Sequence, residues 1–297
     1  MLATMKRAAL IVNPFASGVT QGRLADVERE LRGSLELTVA LTERRGHAIE
    51  LARAAADAEA IFVYGGDGLL NEVVNGVNGH VPLGVLPGGK TNVVARALGL
   101  PSEPRAAAQR LLAGSPRRIS VGRVNGRRFA FAAGVGFDAE LVRRVDRRGR
   151  RSDGRRPGDV AFVWEAMRLL ASSRGRYEPT IELTGFGRAA FVLVANANPY
   201  SFAGRRALRV APEASWELGL DLVAPQRVGP RTLPRLLALT FFGPGQRRPG
   251  DVFYGHDLDL IEVQCDLPLP LQADGEDLGD VERAVFEAER DAVTVLA

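Results

Sequence analysis

The chain has 297 residues, enough for one large domain or two ordinary ones, and its 46% hydrophobic and 25% charged content is that of a globular rather than a disordered protein. One cysteine, Cys265, excludes an internal disulfide, and His47, His80 and His256 share no zinc-ligand spacing. Net charge is +4 with a pI near 9.7; no apolar run approaches the ~18 residues of a membrane span, and Met1 to Arg7 lacks the apolar core of a signal peptide, so a cytoplasmic protein is expected.

From Ala8 to about Leu112, short apolar runs alternate with helical patterns. Ala8–Val12 reads as a buried strand, Leu24–Leu31 as a helix, Leu35–Leu41 as a strand and Gly46–Ala56 as a helix. Ile61–Tyr64 is the next strand, Leu69–Val77 the next helix and Leu83–Leu86 the next strand. The alternation predicts a mainly parallel, doubly wound α/β sheet. Ligands of such sheets sit beyond the carboxyl ends of the strands. Three glycine-bearing loops, 13–18, 65–68 and 87–92, follow strands directly and are expected to converge on one edge.

After about residue 115 the texture becomes β-rich. Strands are expected at Arg118–Val124, Arg128–Ala133, Thr180–Thr184, Ala190–Ala195, Gly219–Val223 and Leu258–Val263, with two further runs in Ala284–Leu296. This predicts a β-sandwich-like α+β domain. Helical patterns interrupt it at Asp159–Ser172 and Arg231–Phe242, and the second reads more often as a core helix than as a lipid-facing one. The segment 143–156 holds eight arginines against two aspartates. Such runs are usually solvated; the sharper expectation is peripheral contact with an anionic membrane, at about 1 kcal/mol per basic residue. No aromatic-interleaved or DNA-reading motif supports nucleic acid as a partner.

Gly65-Gly66-Asp67-Gly68 joins a strand to a helix start. Glycines let backbone approach a ligand, and the first helical N–H groups favour an anion. Asp67 would repel bare phosphate, which points to a bound cation, a proton acceptor, or simple capping of the helix. Asn13 to Gly18, including Ser17, is otherwise an ordinary turn. Pro87 to Asn92 offers Lys90 to a phosphate and Thr91 or Asn92 as hydrogen-bond donors or caps. It is not a Walker A loop, because the leading glycine is one residue out of place. Asp274-Gly275 is by composition a hairpin turn.

Taken together these segments resemble the diacylglycerol kinase catalytic family, which includes bacterial lipid kinases and the sphingosine and ceramide kinases. The resemblance is carried by Asn13-Pro-x-x-Ser-Gly18, Gly65-Gly-Asp-Gly68 with Asn71-Glu72, Leu83 to Asn92, Ala95 to Pro101, Gly136-Phe-Asp-Ala139, Ala195-Asn196 to Gly204, Gly219-Leu-Asp221 and Asp274-Gly-Glu276. It implies a nucleotide-binding α/β domain over residues 1–117, completed by 284–297, and a lipid-substrate domain over 118–283. It implies ATP and Mg²⁺ as cofactors and phosphoryl transfer to the hydroxyl of diacylglycerol or a related lipid alcohol; composition and the arginine run add the expectation of a cytoplasmic, peripherally membrane-associated protein. Asn13, Ser17, Gly18, Gly65, Gly66, Asp67, Gly68, Lys90, Thr91 and Asn92 then fall on the nucleotide side. Asp274 and Glu276 match the acidic pair near the reacting hydroxyl, and Asp221 an acidic position in a metal-supporting loop.

Two departures stand out. Leu69 replaces the threonine usual in bacterial members, and Lys90 and Val93 replace Thr and Asp in the third loop. Asp67 and Asp274 are rival candidates for the general base, with the balance towards Asp274 because Asp67 lies in the phosphate loop. A catalytically weak nucleotide- or lipid-binding regulator, and a kinase of a soluble substrate resembling the NAD kinases, are the alternatives. A homodimer is left open.

Overall fold

The computed structural model describes residues 5–147, 168–169, 177–230, 232–246 and 250–297. The chain divides into two compact units, residues 1–119 with 291–297, and residues 120–290. The return to the first unit thus starts at Asp291, where the sequence reading had placed it at 284.

The first unit opens with β1 (Arg7–Val12), α1 (Gln21–Arg32), β2 (Glu36–Leu41), α2 (His47–Ala54) and β3 (Ala60–Gly65). It continues with α3 (Asp67–Gly76), β4 (Leu83–Pro87), α4 (Val93–Ala97) and α5 (Pro104–Leu112). β3 is AIFVYG and buried at every position, the near-continuous apolar run of a strand covered on both faces. The strands pair in parallel in the order β2-β1-β3-β4, and Val295 of the final strand lies beside Leu83 of β4. Helix starts follow local chemistry. Thr20 accepts from the Arg23 amide at the head of α1, and Glu103 accepts from Arg105 and Ala106 at the head of α5, where Pro104 takes a position whose N–H has no helical partner.

The second unit contains the end of β5 (Pro116–Val124), then β6 (Arg127–Phe129), β7 (Ala132–Val135), α6 (Phe137–Arg147), β8 (Ile181–Leu183), β9 (Gly187–Ala189) and β10 (Val192–Ala195). There follow β11 (Ser201–Ala203), β12 (Arg206–Leu208), β13 (Leu220–Pro225), α7 (Leu233–Phe242), β14 (Val252–Leu258), β15 (Leu260–Ala273) and β16 (Glu276–Leu296). Its main sheet is antiparallel in the order β14-β13-β10-β7-β15-β16. One core beneath it includes Phe129, Val135, Leu222 and Phe286, with the Phe129 and Phe286 rings edge to face at 6.4 Å. The doubly wound α/β unit and a β-rich second unit are both present.

Several local expectations change. The single strand expected over Arg128–Ala133 is two, because at Ala130 and Phe131 the backbone N–H groups turn to the Asp274 carboxylate. The two runs expected in Ala284–Leu296 are one strand, β16, which passes through Asp291 in the left-handed region at φ 48°. The helix read as core, Arg231–Phe242, is α7, and Leu236 is its only buried residue. The helical pattern at Asp159–Ser172 lies outside the described residues except for 168–169. Among the described residues no helix is long and apolar enough to cross a membrane.

Candidate active site

In the first unit the three loops meet backbone to backbone. Gly18 N–H donates to the Gly88 carbonyl at 2.8 Å, and Gly88 N–H donates to the Gly65 carbonyl at 2.7 Å. A Cβ on Gly18 would lie 2.8 Å from the Gly88 oxygen, and one on Gly89 would lie 2.7 Å from the Gly66 Cα. Such approaches exclude a side chain, so these glycines are required by contact between loops. All three loops follow the carboxyl ends of parallel strands, the edge at which ligands bind in this type of sheet.

Each loop is also held internally. Asn13 Oδ1 accepts from the Phe15 amide at 2.9 Å, which leaves Ser17 exposed at the far side of the turn. Asn92 Oδ1 accepts from Gly89 N–H while its Nδ2 donates to the Gly89 carbonyl, both at 2.8 Å. Asn92 itself sits at φ 50°, a conformation asparagine tolerates better than most residues. Lys90 is exposed at the tip and Thr91 half-buried. Gly66 caps α3, so Asp67 and Gly68 supply the first helical N–H groups, which have no intrahelical partner by construction. Asp67 Oδ1 accepts from the Val94 amide at 3.3 Å, joining the second loop to the head of α4. Glu72 accepts from Ala48 N–H at 3.1 Å and caps α2, a structural role.

Of the departures from the pattern the sequence resembles, Lys90 is exposed and Leu69 and Val93 are packing residues. Leu69 and Val93 are 6% and 2% exposed. Leu69 lies against Gly65, where an added Cβ would approach Leu69 Cδ2 to 2.6 Å.

In the second unit, Asp274 and Gly275 form the two-residue turn between β15 and β16, at φ 48° and 76°, the positive angles of a type I′ hairpin. The turn and the acidic pair are therefore one feature. Asp274 is buried, and its carboxylate accepts from the amides of Ala130 at 2.6 Å, Phe131 at 2.9 Å and Ala132 at 3.2 Å. Glu276, also buried, is paired with Arg127 at 2.7 Å. At the head of α6, Asp138 is buried and accepts from Gln272 Nε2 at 2.6 Å and from the Tyr200 hydroxyl. Burial pushes its carboxyl above the usual range, although the Tyr200 and Gln272 hydrogen bonds oppose the shift. Burial likewise pushes the Tyr200 hydroxyl well up, with the adjacent Asp138 charge adding to it.

Asp221 is in a different setting. It is fully buried at a register shift in β13. Oδ2 accepts from the Tyr254 hydroxyl at 2.7 Å, and Oδ1 faces His256 Nδ1 at 2.8 Å and the Asp257 amide at 3.2 Å. Burial and this carboxylate raise the Tyr254 hydroxyl above its ordinary range. Both oxygens of Asp221 are engaged, so its donor set does not fit a metal. Among the described residues no group of three or more His, Cys, Asp or Glu side chains is placed to hold one.

Sequence reasoning missed Arg127, Tyr200, Tyr254 and His256, which are remote in the chain from the carboxylates they serve. Asp138 was visible within Gly136-Phe-Asp-Ala139 but without a role. The arginine run is partly neutralised: Arg143 holds Asp277 at 2.9 Å and Asp280 at 2.6 Å, and Arg144 holds Glu140 at 2.7 Å.

Residues 7–124 match the diacylglycerol kinase catalytic domain family. A diacylglycerol kinase of Bacillus subtilis (strain 168) is 36% identical over 178 residues, which cover 57% of this chain and 57% of that protein. The chain spans about half the length of the first curated relatives it matches. The fold is similar to the crystal structure of a diacylglycerol kinase from Bacillus anthracis str. Sterne, at a TM-score of 0.72 and 19% identity over 99% of this chain and 97% of that one. It is also similar to an NAD kinase from Archaeoglobus fulgidus crystallised in complex with ATP, at a TM-score of 0.52 and 12% identity over 98% and 93% of the two chains.

Proposed function

We propose that the protein is an ATP-dependent lipid kinase that transfers the γ-phosphate to the hydroxyl of diacylglycerol or a related lipid alcohol. The observation that carries this is the three-loop glycine cradle, in which Gly18, Gly88 and Gly65 are hydrogen-bonded in series beside the head of α3, in a domain that matches this family. Backbone N–H groups at such an edge are suited to phosphate. Names of relatives support a lipid acceptor, and the ATP-bound NAD kinase supports ATP as donor.

In this reading Asn13, Ser17, Gly18 and Gly65 to Gly68 bind the phosphates, Asn92 keeps the third loop in shape, and Lys90 reaches an outer phosphate. Mg²⁺ commonly takes one or two carboxylates and completes its shell with substrate phosphates and water. Asp67 fits that requirement and Asp221 does not. The metal would supply charge neutralisation during phosphoryl transfer. In the second unit the acidic hairpin serves the acceptor. Asp274, with three amides directed at its oxygens, anchors the turn, and Glu276 is the better proton acceptor because its partner is a side chain that can shift. Asp138 and Tyr200 offer a hydrogen-bonded polar pair for a lipid headgroup.

Transfer of radiolabelled γ-phosphate from ATP to a panel of lipid extracts tests the proposal. A labelled lipid product is expected, and tight ATP binding with no labelled lipid would overturn it. Labelling of soluble alcohols alone would support the NAD-kinase-like alternative.

A further inference from the structure

The amphipathic logic of a globular helix fails at α7. Its sequence, LPRLLALTFF, has no acidic residue, and of its ten residues only Leu236 is buried. Phe242 is 75% exposed and Leu237 38%; Pro234 and Ala238 are exposed as well. Large apolar groups clustered on a surface mark a contact site rather than a random exposure.

This apolar face is firmly built. Buried Gln246 donates from Nε2 to the Leu236 carbonyl at 2.7 Å and to Thr240 Oγ1 at 3.0 Å, and its own amide donates to Val210 at 2.9 Å. The β11–β12 hairpin lies alongside. The Arg209 amide donates to the Thr240 carbonyl at 3.2 Å, and the Arg206 guanidinium lies 4.3 Å from the centre of the Phe242 ring. Arg205, Arg206 and Arg209 are exposed. Across residues 199–211 and 228–250 the chain has seven arginines and no acidic residue. Only Arg235 among the described ones is tied to an acid, Asp251.

An apolar helix face edged by uncompensated arginines is complementary to one environment in particular. Acyl chains accept the leucine and phenylalanine side chains, anionic headgroups accept the guanidinium groups, and long arginine stems let both occur at once. We infer that α7 and the β11–β12 hairpin form the surface by which the second unit inserts into an anionic lipid bilayer. The inference rests on the lipid-kinase reading for its purpose but on α7 and its arginines for its location. It moves the membrane contact away from the 143–156 run.

Flotation of the full chain with phosphatidylglycerol–phosphatidylcholine vesicles at low salt tests it. The Leu237→Ser/Phe242→Ser and Arg205→Glu/Arg206→Glu proteins should each lose at least about tenfold in partitioning, while Arg150→Glu/Arg151→Glu should lose far less. Unchanged melting temperatures would show that the variants fold. In a Phe242→Trp protein, brominated lipid should quench the new fluorescence. Binding that survives both α7 and hairpin variants, loss confined to Arg150→Glu/Arg151→Glu, or a vesicle-independent dimer abolished by the Phe242 change would overturn the inference. Kinase activity on detergent-dispersed lipid separates the two proposals. If the α7 variants keep it but lose activity on vesicles, both stand. Vesicle binding through α7 with no phosphorylated lipid under any condition would remove the kinase reading alone.

Discussion

Gly88 stands on Gly65: its amide donates to the Gly65 carbonyl at 2.7 Å, and a Cβ on it would lie 2.9 Å from the Gly65 Cα. The contact is backbone on backbone, so neither partner can rotate away. Gly88→Ala should therefore separate the second and third loops. We expect a loss of about 1–3 kcal/mol in stability and of most ATP affinity, measured by urea denaturation and by calorimetric titration. A variant that kept full nucleotide affinity would show that the cradle does not bind phosphate in this form.

Asp274 and Glu276 should separate by readout. Removing the Asp274 carboxylate in Asp274→Ala leaves the buried amides of Ala130, Phe131 and Ala132 without their acceptor, and each unsatisfied group costs roughly 1–3 kcal/mol. Asp274→Ala is expected to unfold at markedly lower urea. Glu276→Gln should retain the Arg127 contact and most of its stability but lose turnover on the lipid acceptor. Full turnover in Glu276→Gln would return the proton acceptor to Asp274 or Asp67.

The Asp221 setting makes a prediction about magnesium. Asp221→Asn disturbs the links to Tyr254, His256 and the Asp257 amide, so stability should fall by about 1–3 kcal/mol. The Mg²⁺ concentration for half-maximal activity should stay where it is, whereas Asp67→Asn should raise it. A selective change in Mg²⁺ requirement in Asp221→Asn would mean that the loop opens to hold a cation.

Asp138 carries a pH signature. Its carboxyl is raised in the folded chain by burial. Between the unfolded and folded values the native state keeps a proton that the unfolded chain has lost. Stability therefore falls as pH rises through that window and levels off above it. Asp138→Asn removes this ionisation, so its urea midpoint should be flatter than that of the parent chain as pH rises above the ordinary carboxylate range. An identical pH slope in both proteins would show that Asp138 ionises without cost.

The parallel half of the fold was legible because β1, β3 and β4 are apolar runs closed by glycine or proline, and parallel pairing then obliges their loops to share an edge. The acidic hairpin was legible as a turn from Asp274-Gly275 alone. What escaped were relations set by burial. Nothing near Asp221 in the chain announces Tyr254 and His256, which arrive from β14 only when the antiparallel sheet forms. Leu69 stood only as a departure from the bacterial pattern, and becomes intelligible once it is seen packed against Gly65. Helix α7 misled because leucine spacing reports periodicity, not which face the rest of the protein leaves bare.

Asn92 grips Gly89 with both ends of its amide, and this has a thermodynamic consequence. The third loop acquires its shape during folding, so an arriving nucleotide need not pay for ordering it. Asn92→Ala should therefore weaken ATP through entropy while leaving the contacted atoms unchanged. Calorimetry should show the binding enthalpy nearly intact and the entropic penalty enlarged, as befits a receptor whose rigidity is inherited from its fold.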